Sequence, residues 1–305
     1  MSGLGLGPVG VALTVSDNYL DEAAELERLG YSAIWLPGGQ IDTLARLADV
    51  AAATTAVPVG AAIISLDVYS PQMVTGLYAR LEATAPGRLV TGLGGPQRPR
   101  PLQALQDFLD RLDQADPPVP AQRRLLAALG PRKLELARDR AAGAIMLLVT
   151  PTYISAARQV LSDQRVLVVD QMLVADADPA GARQAARRPL RFLSGLPGYA
   201  ASFARMGFTE TDIANVSDRL VDELIIWGDP GTITARISQQ LHAGADHIML
   251  HVLSEPGQPG PLQVARTLAG TMPGQAGHPA PGQAAGLPNS GAEPPTMDRQ
   301  GRHKS

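Results

Sequence analysis

Up to about Met272, hydrophobic positions alternate between two patterns. Short, nearly continuous apolar runs predict strands at residues 9–13, 33–36, 59–64, 89–93, 125–129, 144–149, 166–174 and 247–253. Longer segments between them carry apolar residues three and four apart, the spacing of a helix with one buried face. Strands that are apolar on both faces and alternate with amphipathic helices are the mark of βα units on a parallel sheet. Eight such strands predict a closed (β/α)8 barrel of the TIM type, an α/β fold.

The helix ends have a local chemistry that supports this division. Asp17 or Asn18 can cap a helix running to Leu29, with Ala23, Leu26 and Leu29 on one face and Gly30 beyond its end. Pro71 suits the first turn of a helix running to Ala85, and Pro86-Gly87 ends it. A further amphipathic helix is expected over 231–241.

Two regions break the rhythm. Between Asp178 and Gly228 the spacing exceeds one helix; helices are expected over 180–193, 199–206 and 217–226, with Gly195-Leu-Pro-Gly198 as an interruption. This is a helical insertion after the seventh predicted strand, placed beside the barrel mouth or at a subunit contact. From Pro273 to Ser305 the chain is rich in Pro, Gly, Ala and Gln and poor in large apolar groups, which predicts a disordered tail. The expected division is therefore a barrel domain over 1–272 and a tail over 273–305.

Composition narrows the function. The chain of 305 residues has 26 Lys and Arg against 29 Asp and Glu, a formal charge of -3, so it offers no basic field for nucleic acid. It contains no cysteine, which excludes disulfides, thiolate metal sites and a cysteine nucleophile. No apolar run approaches the roughly 20 residues of a membrane span, and no secretory signal pattern opens the chain. A cytoplasmic protein acting on a small molecule is expected.

In a parallel barrel, chemistry gathers where strands end. The fourth predicted strand leaves through Gly92, Gly94 and Gly95 into a basic loop containing Arg98 and Arg100. Two readings fit these glycines: close approach of a ligand to bare backbone, or crowding inside the barrel. After the fifth strand, Leu129-Gly130-Pro131-Arg132-Lys133 starts a helix whose free N–H groups and positive dipole end would face the mouth, with two cations beside them. An anion site and a plain solvated helix start both fit that pattern. His247 and His251 share one face of the last strand, His247 at its bottom and His251 nearer the mouth. No cluster of carboxylates accompanies them, so no metal site is assigned. Asp170 and Gln171 are adjacent on the seventh strand, so only one can enter the barrel.

Several segments, in order, resemble the luciferase-like monooxygenase superfamily, and within it the oxidoreductases that use the deazaflavin coenzyme F420. They are Leu29-Gly-Tyr-Ser-Ala-Ile-Trp-Leu-Pro37, Val59-Gly-Ala-Ala-Ile-Ile64, Pro86-Gly-Arg-Leu-Val-Thr-Gly-Leu-Gly94, Ala127-Ala-Leu-Gly-Pro-Arg-Lys-Leu-Glu-Leu-Ala137, and Trp227-Gly-Asp-Pro-Gly231 leading to Ala243-Gly-Ala-Asp-His247. Gly207-Phe-Thr-Glu-Thr-Asp212 and Ser217-Asp-Arg-Leu-Val-Asp222 resemble one actinobacterial-type subgroup of these enzymes.

The resemblance implies a cofactor across the barrel mouth and hydride transfer between F420 and a small organic substrate, in a chain that often dimerises. It implies a non-proline cis peptide at Ala62-Ile63 beneath the cofactor ring. It places Gly38, Gly39, Gly92, Gly94 and Gly95 around the ring, and Leu129, Gly130, Pro131 and Arg132 at its phosphate or side arm. FMN is the alternative cofactor, in a monooxygenase of the same fold, and a non-catalytic cofactor-binding paralogue is the third possibility. That third possibility arises because the family frequently carries Asp-His or Glu after the Trp of the second strand, where this chain has Gly38-Gly39, and often an acid where Pro96 and Gln97 stand. No catalytic residue is assigned; Tyr69, Gln40, water or the substrate's own groups are the proton sources considered.

Overall fold

The computed structural model describes residues 3–95 and 100–274, apart from the side chain of Gln40. The first half runs β1 (Val9–Ala12), α1 (Tyr19–Arg28), β2 (Ile34–Pro37), α2 (Ala45–Ala53), β3 (Val59–Ala62), β4 (Ile64–Ser65), α3 (Pro71–Thr84), β5 (Leu89–Gly94), α4 (Pro101–Asp113), β6 (Arg124–Ala127), α5 (Pro131–Arg140) and β7 (Gly143–Leu147). It continues with α6 (Pro151–Leu161), β8 (Val166–Val174), α7 (Pro179–Ser194), α8 (Pro197–Arg205), α9 (Glu210–Asn215), α10 (Asp218–Leu224), β9 (Ile226–Trp227), α11 (Pro230–His242), β10 (His247–Val252) and α12 (Pro261–Leu268).

Every strand pairing is parallel, in the order β10-β1-β2-β3-β5-β6-β7-β8, and β10 also pairs with β8, which closes the barrel. The eight expected strands are all present. Two short strands were not foreseen: β4, split from β3 and paired with β5, and β9, which extends β8 on its far side. The tail expected from 273 falls almost wholly outside the described residues, as do Pro96, Gln97 and Arg98 of the basic loop.

Proline is used to start helices: eight of those described carry it in the first turn, where a missing N–H costs nothing. At α3, α6, α7 and α11 the preceding Ser70, Thr150, Asp178 or Asp229 accepts a bond from a first-turn amide. No side chain caps α5.

Period-two alternation divides the strand residues into two cores. Outward-facing Ile34, Leu36, Val59, Leu89, Leu126, Met146, Leu167 and Leu250 pack beneath the helices. Inward-facing Ala12, Trp35, Val90, Leu125, Ile145, Val168 and Met249 fill the barrel itself. The same alternation settles the pair on β8. Asp170 points inward to His251, while Gln171 points outward, donating to the Leu224 carbonyl at 3.1 Å and accepting from Gln240.

The floor of the barrel is a single polar contact set in this apolar interior. The indole Nε1–H of Trp35 donates to His247 Nε2 at 2.9 Å, and because an indole can only donate, Nε2 must be the unprotonated nitrogen. His247 Nδ1–H therefore donates to the Gly7 carbonyl. Gly60 makes room for the indole: a Cβ there would lie 2.4 Å from ring carbons of Trp35. Both rings are fully buried.

The insertion α7–α10 builds a second core over the β8 side of the barrel, with Ala182, Ala186, Leu190, Phe203, Leu220 and Val221 against Met172 and Val174. Arg183 pins it, reaching Asp222 at 2.6 Å while Asp222 accepts from the Trp227 indole at 2.9 Å.

Burial pushes His247 down to about 4, partly opposed by its bond to Gly7. The unfolded chain therefore takes up a proton between pH 6.5 and 4 that the folded chain refuses, so stability falls as pH drops through that window, by about 3 kcal/mol in all. Urea denaturation at a series of pH values should show this loss in the native protein. His247→Gln should be less stable at pH 7 and lose less between pH 6.5 and 4.5.

Candidate functional site

Above the filled floor several inward-facing positions are half-exposed. Ala62, Ile63, Gly95, Ala127, Leu147 and His251 are each intermediate in burial, whereas Trp35, Val90, Leu125 and Val168 beneath them are fully buried. The barrel is thus closed below and open where its strands end, the expected place for a ligand.

The β2 and β3 exits are built together. The Ala62–Ile63 peptide is cis, and it separates β3 from β4. Ile63 turns its backbone toward the β2 exit, so a Cβ on Gly38 would lie 2.3 Å from the Ile63 carbonyl oxygen and 2.9 Å from its nitrogen. No side chain fits at Gly38. Gly39, by contrast, is exposed, with open space where a Cβ would stand.

The glycines of β5 have a different role from ligand approach. A Cβ on Gly92 would meet the Ala61 carbonyl at 1.9 Å and Ile145 Cδ1 at 2.8 Å; one on Gly94 would meet Ala127 Cβ at 2.7 Å and Ile63 Cδ1 at 2.8 Å. Protein atoms take that space, so barrel crowding explains both residues. What results at the mouth is an apolar floor in which Ile63 lies across Gly94 beside Ala127. Gly95 follows with φ of 49° and leads to residues outside those described.

The β6 exit is polar. Gly130 precedes the uncapped α5, and the Gly130 and Arg132 amides have no hydrogen-bond partner among the described residues. The Leu129 carbonyl is already held, by the Tyr153 hydroxyl at 2.9 Å and by Arg205 Nη2 at 2.7 Å. Arg205 comes from α8 of the insertion, and its guanidinium lies 3.3 Å from where a Gly130 Cβ would be. Arg132 is exposed, and burial holds half-buried Lys133 below its ordinary value. None of these three cations forms an ion pair among the described residues. A helix N-terminus with three unpaired cations suits an anion.

The structure thus brings Gly38, Gly39, Ala62, Ile63, Gly94 and Gly95 to one side of the opening, and sets Leu129, Gly130, Pro131 and Arg132 at the adjoining β6 exit. Gly92 lies deeper. Arg205 was missed because only tertiary packing carries it to α5. Tyr69 is committed elsewhere: it is buried and donates to the Ile41 carbonyl at 2.9 Å, tying the loop after β2 to the loop after β4. On the opposite wall, His251 Nδ1 faces Asp170 Oδ1 at 3.3 Å.

No protein-family model matches the chain, and no curated protein matches it in sequence. Solved structures match its fold throughout. The coenzyme F420-dependent tetrahydromethanopterin reductase from Methanopyrus kandleri aligns with a TM-score of 0.67 at 17% identity, covering 88% of this chain and 98% of that one. An F420-dependent secondary alcohol dehydrogenase, in complex with an F420–acetone adduct, aligns at 0.63 and 16% identity, over 85% of this chain and 97% of that one. The FMN-bound oxygenating constituent of 3,6-diketocamphane monooxygenase, a type II Baeyer–Villiger enzyme from the CAM plasmid of Pseudomonas putida, aligns at 0.61 and 12% identity, over 87% and 98%. All three are redox enzymes. The chain shares the (β/α)8 barrel fold of these structures. No helix among the described residues is long and apolar enough to cross a membrane.

The contact between Gly38 and Ile63 can be tested directly. Gly38→Ala should destabilise the protein by about 2 kcal/mol, because backbone atoms on β4's approach cannot yield to a methyl group. Gly39→Ala should stay within about 0.5 kcal/mol of the native protein in the same urea titration.

Proposed function

We propose that this protein is a deazaflavin-dependent oxidoreductase that binds coenzyme F420 in the barrel mouth and transfers hydride between it and a small organic substrate. The observation that carries this is the pairing, on one rim, of an apolar floor with a cluster of anion-binding groups at the start of α5. F420 and FMN share that combination of a flat ring and a phosphate arm, and the neighbouring structures are F420 and FMN enzymes. When bound, the coenzyme supplies the hydride-carrying ring, and the chain supplies position and electrostatics.

In this assignment Ile63, which covers Gly94, and Ala62 support the ring from below, and Gly38 and Gly39 border it without side chains to hold it off. The Gly130 and Arg132 amides, with Arg132, Lys133 and Arg205, hold the anionic arm, while the carbonyl of Leu129 stays fixed by Tyr153. The insertion, through Arg205, couples its own folding to this arm. Met172 and Leu147 keep the wall beneath the insertion apolar, which limits water at the reacting face.

FMN is the second reading, favoured by the FMN-bound monooxygenase among the structural neighbours. It uses the same arm site and differs in the ring it presents to oxygen.

Titration of the purified protein with F420, followed by coenzyme fluorescence, should give saturable binding. Arg132→Ala and Arg205→Ala should each weaken it about tenfold, the loss of one charge-assisted contact. Yellow protein carrying FMN, with oxygen-dependent turnover, would instead establish the second reading. Absence of saturable binding by either cofactor refutes both.

A further inference from the structure

Reducing a carbonyl requires a proton as well as a hydride, and neither Gly38 nor Gly39 can carry one. Across the opening stands a pair that can. We propose that His251 is the acid–base residue of the mouth, its imidazole oriented by Asp170; this rests on the coenzyme-binding reading above.

Both side chains occupy inward-facing positions near the open end. On β10, His247 and Met249 point inward, so His251 does too; on β8, Val166 and Val168 precede Asp170 on the inner face. The pairing register sets His251 beside Met172, and Val11 beside Leu250, which leaves apolar Ala12 and Met172 as its flanking lumen positions. A carboxylate there is out of keeping with its surroundings, since a buried polar group is costly unless it is paired. Asp170 is nonetheless 5% exposed with one hydrogen bond among the described residues, the 3.3 Å contact to His251.

A carboxylate accepts, so Nδ1 of His251 carries the proton that faces it. Nε2 is left with no partner among the described residues, in a side chain 19% exposed. The imidazole is therefore both oriented and reachable. Burial opposes its charge, and the Asp170 carboxylate more than offsets this, holding His251 above the ordinary histidine range. Among the described residues Asp170 is the titratable group whose charge acts on it; Tyr199 of α8 feels the same carboxylate, its hydroxyl pushed up by burial and by Asp170. The other described histidines are unsuited: His247 is the closed floor, and His242 Nδ1 bonds the Ser238 carbonyl on the outer helix α11.

For a ketone substrate the step balances as follows. Two electrons and one hydrogen reach the carbonyl carbon as hydride from a reduced deazaflavin. The Nε2–H bond of the imidazolium breaks as the O–H bond forms, giving an alcohol and a neutral imidazole that water re-protonates. In the reverse direction neutral Nε2 takes the hydroxyl proton.

Full-length protein with isotopically labelled histidine should be titrated by NMR, with and without saturating F420, alongside Asp170→Asn and with F420 binding measured separately by fluorescence. His251 should titrate above the ordinary histidine range, titrate lower in Asp170→Asn, and shift its resonance on F420 addition while His247 does not. Binding of F420 with an unmoved His251 overturns this inference and leaves the coenzyme reading standing. An unchanged His251 titration in Asp170→Asn overturns the orienting role. Failure of F420 and FMN to bind at all overturns both. Because the native protein alone gives the resonance test, a poorly folding variant does not blunt it.

Discussion

The level to which the barrel is filled decides what the rest of the molecule can do. Trp35 reaches across the interior to His247, and that one hydrogen bond, with Gly60 cleared to admit the indole, seals the barrel below its midpoint. Had the sealing layer stood higher, the strand ends would meet as a solid core. Because it stands low, the positions above it are free to be small, and a concave opening forms over an apolar floor. The interior is close-packed, so the floor is rigid and its height is fixed.

The rim inherits that rigidity through backbone rather than side chains. Gly38 and Ile63 are in contact at main-chain atoms, and the loop after β2 is tied again by Tyr69 to the Ile41 carbonyl. The consequence is chemical. A residue that must be glycine cannot donate or accept a proton, so packing leaves no room for an acid–base side chain at Gly38. The His251–Asp170 pair stands across the opening, on β10 and β8. Gly38 is therefore a feature of how this mouth is built, which is a separate matter from whether the mouth is active.

Much of the architecture was legible in the sequence, because strands buried on both faces and helices started by Pro after a Ser, Thr, Asp or Gly leave strong local marks. The insertion was legible as a spacing that one helix could not fill, though α9 went unforeseen because six residues carry little periodicity. The rim was legible only as a set of loops. Gly92 and Gly94 looked like open backbone, yet their emptiness is filled by Ala61, Ile145, Ile63 and Ala127 from neighbouring strands. Arg205 and the pairing of Asp170 with His251 join residues 76 and 81 positions apart from their partners, a relation set by barrel closure and not by any local pattern.

The most direct measurement is a crystal structure of the protein grown with F420. The account places the ring over Ile63, above the β5 exit, and the phosphate arm at the Gly130 and Arg132 amides within reach of Arg205. Coenzyme found elsewhere, for example in the roughly 390 Å³ cavity that Asp222, Trp227, Thr232 and Arg236 line, would contradict it.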